Sequence, residues 1–212
     1  MKVAIVNFST NNYINIRKKH QEPFIKKYCS NIDYFPLESY ELIGSPHHKD
    51  SPYAFKLHSI QYVRNKGYDI VIWMDAPWAP IKPIDDWILD IQDRGVWLAE
   101  DGWFIGQWAN DKCLQYFNET RDDMLKVTNC YCSVVGYDFT KAVTNTFLEK
   151  MFQAEMAGAF RGSWTNKHKT ESDDIRCLGH RHDQSCSEII AHKLQIKRSH
   201  VVTSKLYYDV WL

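Results

Sequence analysis

The chain has 212 residues, of which 44% are hydrophobic and 25% charged, with 26 basic residues against 26 acidic ones. That length holds one sizeable core or two small ones, and the even charge balance speaks against a nucleic-acid-binding surface, which leaves a basic excess. No window approaches the run of about 18 apolar residues that a membrane span needs, and the apolar run Val3–Val6 is too short for a signal sequence.

In chain order, Lys2–Phe8 reads as a first strand. Ser9-Thr10-Asn11-Asn12 supplies capping residues for a helix that runs to about Tyr28. Its basic residues, Arg17–His20 and Lys26–Lys27, read as a solvated face. Ile32–Leu37 is a second strand, and Glu38–Pro52, with Gly44, Pro46 and Pro52, is a loop. A helix over Tyr53–Lys66 stops at Gly67. Asp69-Ile-Val-Ile-Trp-Met-Asp75 follows, an apolar run between two carboxylates and the pattern of a central strand covered on both faces. Asp85–Ile91 is a helix with acidic residues at its N-terminus, where the dipole favours them.

Gly95–Ala99 is the next strand, Ile105–Trp108 reads as a further short one, and a helix spans about Asp111–Phe117. Cys130–Gly136 is apolar and strand-like. Asp138–Ala159 has helical spacing of Phe139, Val143, Phe147 and Met151. Arg161–Cys177 is a polar loop of unusual length, the kind that forms lids and binding loops. Asp183–Lys193 is a helix and Gln195–Val202 a terminal strand. Strands alternating with helices predict a three-layer α/β/α sandwich with a mixed, mostly parallel sheet, in one domain over 1–212. The apolar tail suggests a fragment of a longer protein.

The six cysteines, with no secretory signal, read as reduced thiols in a cytoplasmic protein. Aromatic content is high at 14%, with eight Trp and twelve Tyr. Trp78, Trp103, Trp108 and Trp164 fall in loop-like contexts, where rings suit the flat faces of sugars or bases. Core packing or loop anchoring is the plainer account of any one of them.

Three places could carry chemistry. Asp75 ends a strand that is otherwise wholly apolar, at the carboxyl edge where open α/β sheets bind ligands. Its carboxylate suits a hard cation, Mg²⁺ or Mn²⁺, bridging to substrate phosphates, or else it caps the turn at Ala76-Pro77. Asn7-Phe8-Ser9-Thr10 lies between the first strand and first helix, a common place to meet a nucleotide, although neither Gly-x-Gly-x-x-Gly nor Gly-x-x-x-x-Gly-Lys is present. Gly179–Ser185 is a dense polar cluster before a helix N-terminus, which favours an anion. Within it Asp183 also reads as a plain N-cap, and Cys177, His180, His182 and Cys186 form an alternative zinc set of unfamiliar spacing.

Lys56 followed by Tyr68-Asp69-Ile70-Val71-Ile72-Trp73-Met74-Asp75 resembles the "K…(Y)DxVLWLDAD" region of GT-A-fold glycosyltransferases. His182-Asp183-Gln184-Ser185 resembles the "H-x-DQS" segment late in many of the same enzymes. The two occur in the family's order, and the resemblance covers roughly residues 1–203. The chain also looks like the N-terminal glycosyltransferase domain of a large multidomain chlorella-virus protein, which implies the host cytoplasm.

The resemblance implies a UDP-sugar donor, with glucose or rhamnose as the hexose, a glycan acceptor, and Mn²⁺ or Mg²⁺ on the diphosphate. It makes Asp75 the first carboxylate of an Asp-x-Asp motif whose third position is here Pro77, with His200 as a second metal ligand. Lys56 and His182 would meet the donor, and Asn7, Phe8, Ser9 and Thr10 its base and ribose. Asp183 and Gln184 would act at the transferred sugar, with retention of configuration favoured, and Asp101 and Trp164 would meet the acceptor. The rival readings are a nucleotide-sugar hydrolase or nucleotidyltransferase, and a non-catalytic carbohydrate-binding module.

Overall fold

The computed structural model describes residues 1–200 and the backbone of a strand at 208–210. Five strands form the main sheet in the order β2-β1-β3-β6-β5. They are β1 (Val3–Phe8), β2 (Asp33–Leu37), β3 (Ile70–Met74), β5 (Val96–Phe104) and β6 (Thr128–Asp138). β1 runs parallel to β2 and β3, while β6 is antiparallel to both of its neighbours. Four strands therefore share one direction and β6 opposes them, as a mixed, mostly parallel sheet requires. A small second sheet pairs β4 (Trp78–Pro80) with β7 (Tyr208–Val210).

The helices are α1 (Asn12–Ile16), α2 (Glu22–Tyr28), α3 (Tyr40–Ile43), α4 (Ala54–Arg64), α5 (Asp85–Arg94), α6 (Ile105–Trp108), α7 (Asp111–Phe117), α8 (Arg121–Met124), α9 (Ala142–Met156) and α10 (Asp183–Lys193). They cover both faces of the sheet. β3 is buried along its whole length, and its side chains alternate between two cores. Val71 and Trp73 join Leu57, Ile60, Phe147 and Ile189 under α4, α9 and α10. Ile70, Ile72 and Met74 join Ile25, Trp87 and Ile91 under α2 and α5. Gly136 admits that second layer: a Cβ there would lie 2.5 Å from Ile91 Cγ1, so the glycine lets α5 sit directly on β6.

The helix expected from Asn12 to Tyr28 is interrupted by a π-helical turn at Arg17–Gln21. The wider turn brings Arg17 and Gln21 inward and buries both. Arg17 is then paired with Glu22 at 3.0 Å and Glu38 at 2.6 Å, so it does not belong to a solvated basic face.

Three further expectations are corrected. The Glu38–Pro52 loop contains the one-turn helix α3, capped by the Ser39 hydroxyl, which accepts the Leu42 N–H at 3.2 Å. Ile105–Trp108 is helical, because the Phe104 N–H turns onto Gln107 Oε1 at 3.0 Å and Arg121 draws in the carbonyls of Gly106 and Ala109. Gln195–His200 holds one bridge, Ser199 to Ala99, and no continuous strand; Val201 and Val202 lie outside the described residues. All six cysteines are free and buried. Among the described residues no helix is long and apolar enough to cross a membrane.

Candidate functional site

Parallel pairing in the register Val6↔Trp73 sets the carboxyl ends of β1 and β3 side by side. The chain leaving β1 (Ser9, Thr10, Asn11) and the turn leaving β3 (Asp75, Ala76, Pro77) open onto one cavity of about 580 Å³. Its apolar floor is a ring cluster in which Phe8 packs on Tyr40 and Phe55, with centroids 4.7 and 5.0 Å away. Such a lining, apolar with a few convergent polar groups, suits a small organic ligand.

Asp75 stands at the cavity wall. Its Oδ1 accepts the Trp73 indole N–H at 2.8 Å and lies 3.3 Å from Lys56 Nζ. α4 carries Lys56 inward, where it is 6% exposed and also donates to the Cys132 carbonyl at 2.9 Å. The same ammonium lies 3.5 Å from Asp183 Oδ2, at the first turn of α10. Residues more than a hundred positions apart thus meet on one lysine. Burial works against the Lys56 charge, but Asp183 and Asp75 hold its pKa above the ordinary lysine value. Burial pushes Asp183 up to about 6, with Lys56 opposing the shift and Asp75 adding to it.

Gln184, the next residue, donates from Nε2 to Asp101 Oδ2 at 3.1 Å, and Asn129 donates to the same oxygen at 2.7 Å. Asp101 therefore joins the α10 end of the site from β5. Trp164, in the long loop, lies 5.9 Å from Tyr53 and 5.4 Å from His182 by ring centroid. The Arg181 guanidinium is sandwiched between Trp108 at 3.8 Å and Trp164 at 4.3 Å, which ties the loop to α6.

Asn7 and His182, expected on the donor side, lie off the cavity lining. Asn7 is fully buried, donating from Nδ2 to the Met74 carbonyl at 2.7 Å and accepting the Ser9 hydroxyl, so it locks β1 to β3 and does not line the cavity. His182 is 3% exposed, and its Nδ1 is engaged by the Phe160 carbonyl at 2.8 Å. Its ring packs against those of Tyr53 and Trp164 and does not line the cavity. The zinc set is not assembled. His180 has both ring nitrogens occupied, by the Asn110 N–H and the Ala159 carbonyl, while Cys186 Sγ lies 3.7 Å from Cys113 Sγ. Among the described residues no three His, Cys, Asp or Glu side chains converge to hold a metal ion.

Among the described residues, the cavity lining therefore offers Mg²⁺ or Mn²⁺ one carboxylate, Asp75. That fits a hard cation that arrives with substrate phosphates and keeps most of its ligands from them. His200 is exposed and follows Ser199, which bridges Ala99. β6 already occupies the other side of Ala99, so Ser199 sits three strand spacings from β3, about 14 Å.

Tyr40, Tyr53 and the run His47–Lys49 also line the cavity and escaped the sequence reading. The one signal for them was a cluster of polar and aromatic residues inside a stretch otherwise marked by Gly and Pro.

Neither a family model nor a curated protein matches the sequence. Solved structures do resemble the chain. The bifunctional glycosyltransferase WbbM is similar over 94% of this chain at 13% identity and a TM-score of 0.49, and this chain spans 38% of its length. Mouse xyloside xylosyltransferase 1 is similar over 94% at 9% identity and a TM-score of 0.49, with 85% of its chain covered. A glycosyltransferase involved in glycosylation of the major capsid of PBCV-1 is similar over 73% at 11% identity and a TM-score of 0.44, with 66% of its chain covered.

Proposed function

We propose that the chain is a glycosyltransferase that takes a hexose, glucose or rhamnose, from a UDP-sugar and places it on a glycan acceptor, in the cytoplasm. The observation that carries this reading is the Asp75–Lys56–Asp183 cluster: Asp75 lines an aromatic-floored cavity where β1 and β3 end, and buried Lys56 ties it to buried Asp183. A base and ribose would lie over Phe8 and Tyr40, with Thr10 beside them. The diphosphate would then reach Asp75, and the sugar would lie toward Asp183 and Gln184.

Breaking the bond between the anomeric carbon and the phosphate oxygen puts negative charge on the leaving diphosphate and positive charge on the sugar ring. A Mn²⁺ or Mg²⁺ ion held by Asp75 would supply charge to the diphosphate when bound. The Lys56 ammonium holds Asp75 and Asp183 in place. The Asp183 carboxylate, ionised at neutral pH, would lend its negative charge to the developing positive charge. It is buried and paired with Lys56, poorly placed to take a proton from an acceptor hydroxyl. That favours retention, in which the leaving phosphate takes that proton. Asp101 and Trp164 are left for the acceptor.

The reading is tested by isothermal titration with UDP and a panel of UDP-sugars in Mn²⁺, followed by NMR of the product's anomeric proton. Absence of binding by every member would overturn it. An inverted product would overturn retention alone.

A further inference from the structure

Two carboxylates, Asp75 and Asp183, flank the single ammonium of Lys56, so this cluster carries net negative charge. A diphosphate approaching Asp75 meets that charge; a cation on Asp75 would offset it from one side, and donors on another wall of the cavity would hold the phosphate oxygens that the cation does not reach. The Lys and His side chains that line the cavity are His47, His48 and Lys49, all on the loop between α3 and α4.

That loop is built rather than draped. The N–H groups of Asp50 and Ser51 close onto the His47 carbonyl at 2.9 and 3.0 Å, and the His47 ring stacks on Tyr40 at 4.2 Å. His48 Nδ1 accepts the backbone N–H of Tyr53 at 3.2 Å. Tyr53 holds that N–H in place with a left-handed backbone, φ 63° and ψ 5°, uncommon for a bulky residue. Burial, then His47 and Lys56, keeps the His48 ring below the ordinary histidine value and hence neutral. With Nδ1 occupied as an acceptor, the ring proton is on Nε2, which leaves His48 one donor to offer. Lys49 is exposed and makes no ion pair among the described residues.

We propose that the His47–Lys49 loop is the wall that receives the diphosphate, with His48 Nε2–H and the Lys49 ammonium donating to phosphate oxygens. This rests on the nucleotide-sugar reading and adds to it the groups that offset the Asp75–Asp183 charge.

The test is a chemical-shift titration of the full chain with uridine and with UDP at fixed Mn²⁺, in the wild type, Lys49→Gln and His48→Ala. Each substitution is expected to weaken UDP about tenfold, the loss of one charge-assisted hydrogen bond, and to leave uridine unchanged. UDP affinity unchanged in both variants overturns the proposal. An equal fall for both ligands also overturns it, since that is a loop that has lost its shape. Lys49→Gln, at an exposed position, keeps the test sound if His48→Ala unfolds the loop. If neither ligand binds the wild type, the nucleotide-sugar reading itself fails.

Discussion

Lys56 Nζ lies 3.5 Å from Asp183 Oδ2 and 3.3 Å from Asp75 Oδ1, so one buried ammonium serves two carboxylates from opposite halves of the chain. Removing it strands a buried charge. Lys56→Ala is expected to cost about 3–5 kcal/mol in urea unfolding. The double variant Lys56→Ala/Asp183→Asn should recover more than half of that loss, because no unpaired carboxylate then remains buried on α10. A double variant no more stable than the single one would show that the pair is not coupled.

Asp183 ionises at about 6, raised by burial from 3.8. Turnover that needs its carboxylate should climb with pH through that value and level off above it. Asp183→Asn should abolish the climb along with most of the activity. The sign for stability is opposite. A carboxyl raised on folding favours the native state most below its unfolded value, and that contribution fades as pH rises through the folded value. Glu188, buried and raised to about 7, has the same sign over a window ending nearer neutrality. Glu188→Gln should therefore flatten the fall in urea midpoint between pH 5 and 7.

Asp75→Asn keeps an oxygen for the Trp73 indole and so spares the fold, but it offers a cation no charge. UDP affinity should lose most of its dependence on Mn²⁺, read by titration with and without EDTA. A variant that responds to Mn²⁺ as the wild type does would remove Asp75 from cation binding.

Gly179 is where the long loop returns. A Cβ there would lie 2.1 Å from the Trp164 carbonyl oxygen. Gly179→Ala should push Trp164 off Arg181, seen as a change in tryptophan fluorescence together with lost transfer. Binding of UDP should be spared, since Trp164 does not line the cavity.

Asn11 carries φ 51° and ψ −129° ahead of α1, and its side chain makes no capping hydrogen bond. Asn11→Gly should relieve about 1 kcal/mol of strain and raise Tm by roughly 2–4 °C. A lower Tm would mean that the asparagine is held by contacts worth more than its strain.

Most of the sheet was legible because β3 is an unbroken apolar run buried on both faces, and β1 and β6 are largely apolar and largely buried. Asp75 drew notice for the same reason, since a charge at the end of such a run has to be paired or face a cavity, whereas Lys56 stood out only through the family resemblance. Asn7 misled because a polar residue at a strand end looks the same in sequence whether it bonds a ligand or the neighbouring strand. Ile105–Trp108 misled because its helical turn depends on Arg121, sixteen residues beyond its start and invisible to local periodicity. The His47–Lys49 wall has no period at all. Its shape comes from the turn closed on the His47 carbonyl, the His47–Tyr40 stack, one imidazole–amide bond and a left-handed tyrosine.

Gln21 is fully buried by the π-helical turn, and its amide nitrogen reaches the carbonyls of Met74, Asp75 and Trp78 at 3.3, 2.9 and 2.8 Å while Tyr34 donates to its oxygen at 2.7 Å. The turn that presents Asp75 is thus stapled from beneath before any ligand arrives. A guest must match that side as it stands, and wrong guests are refused by misfit rather than accommodated.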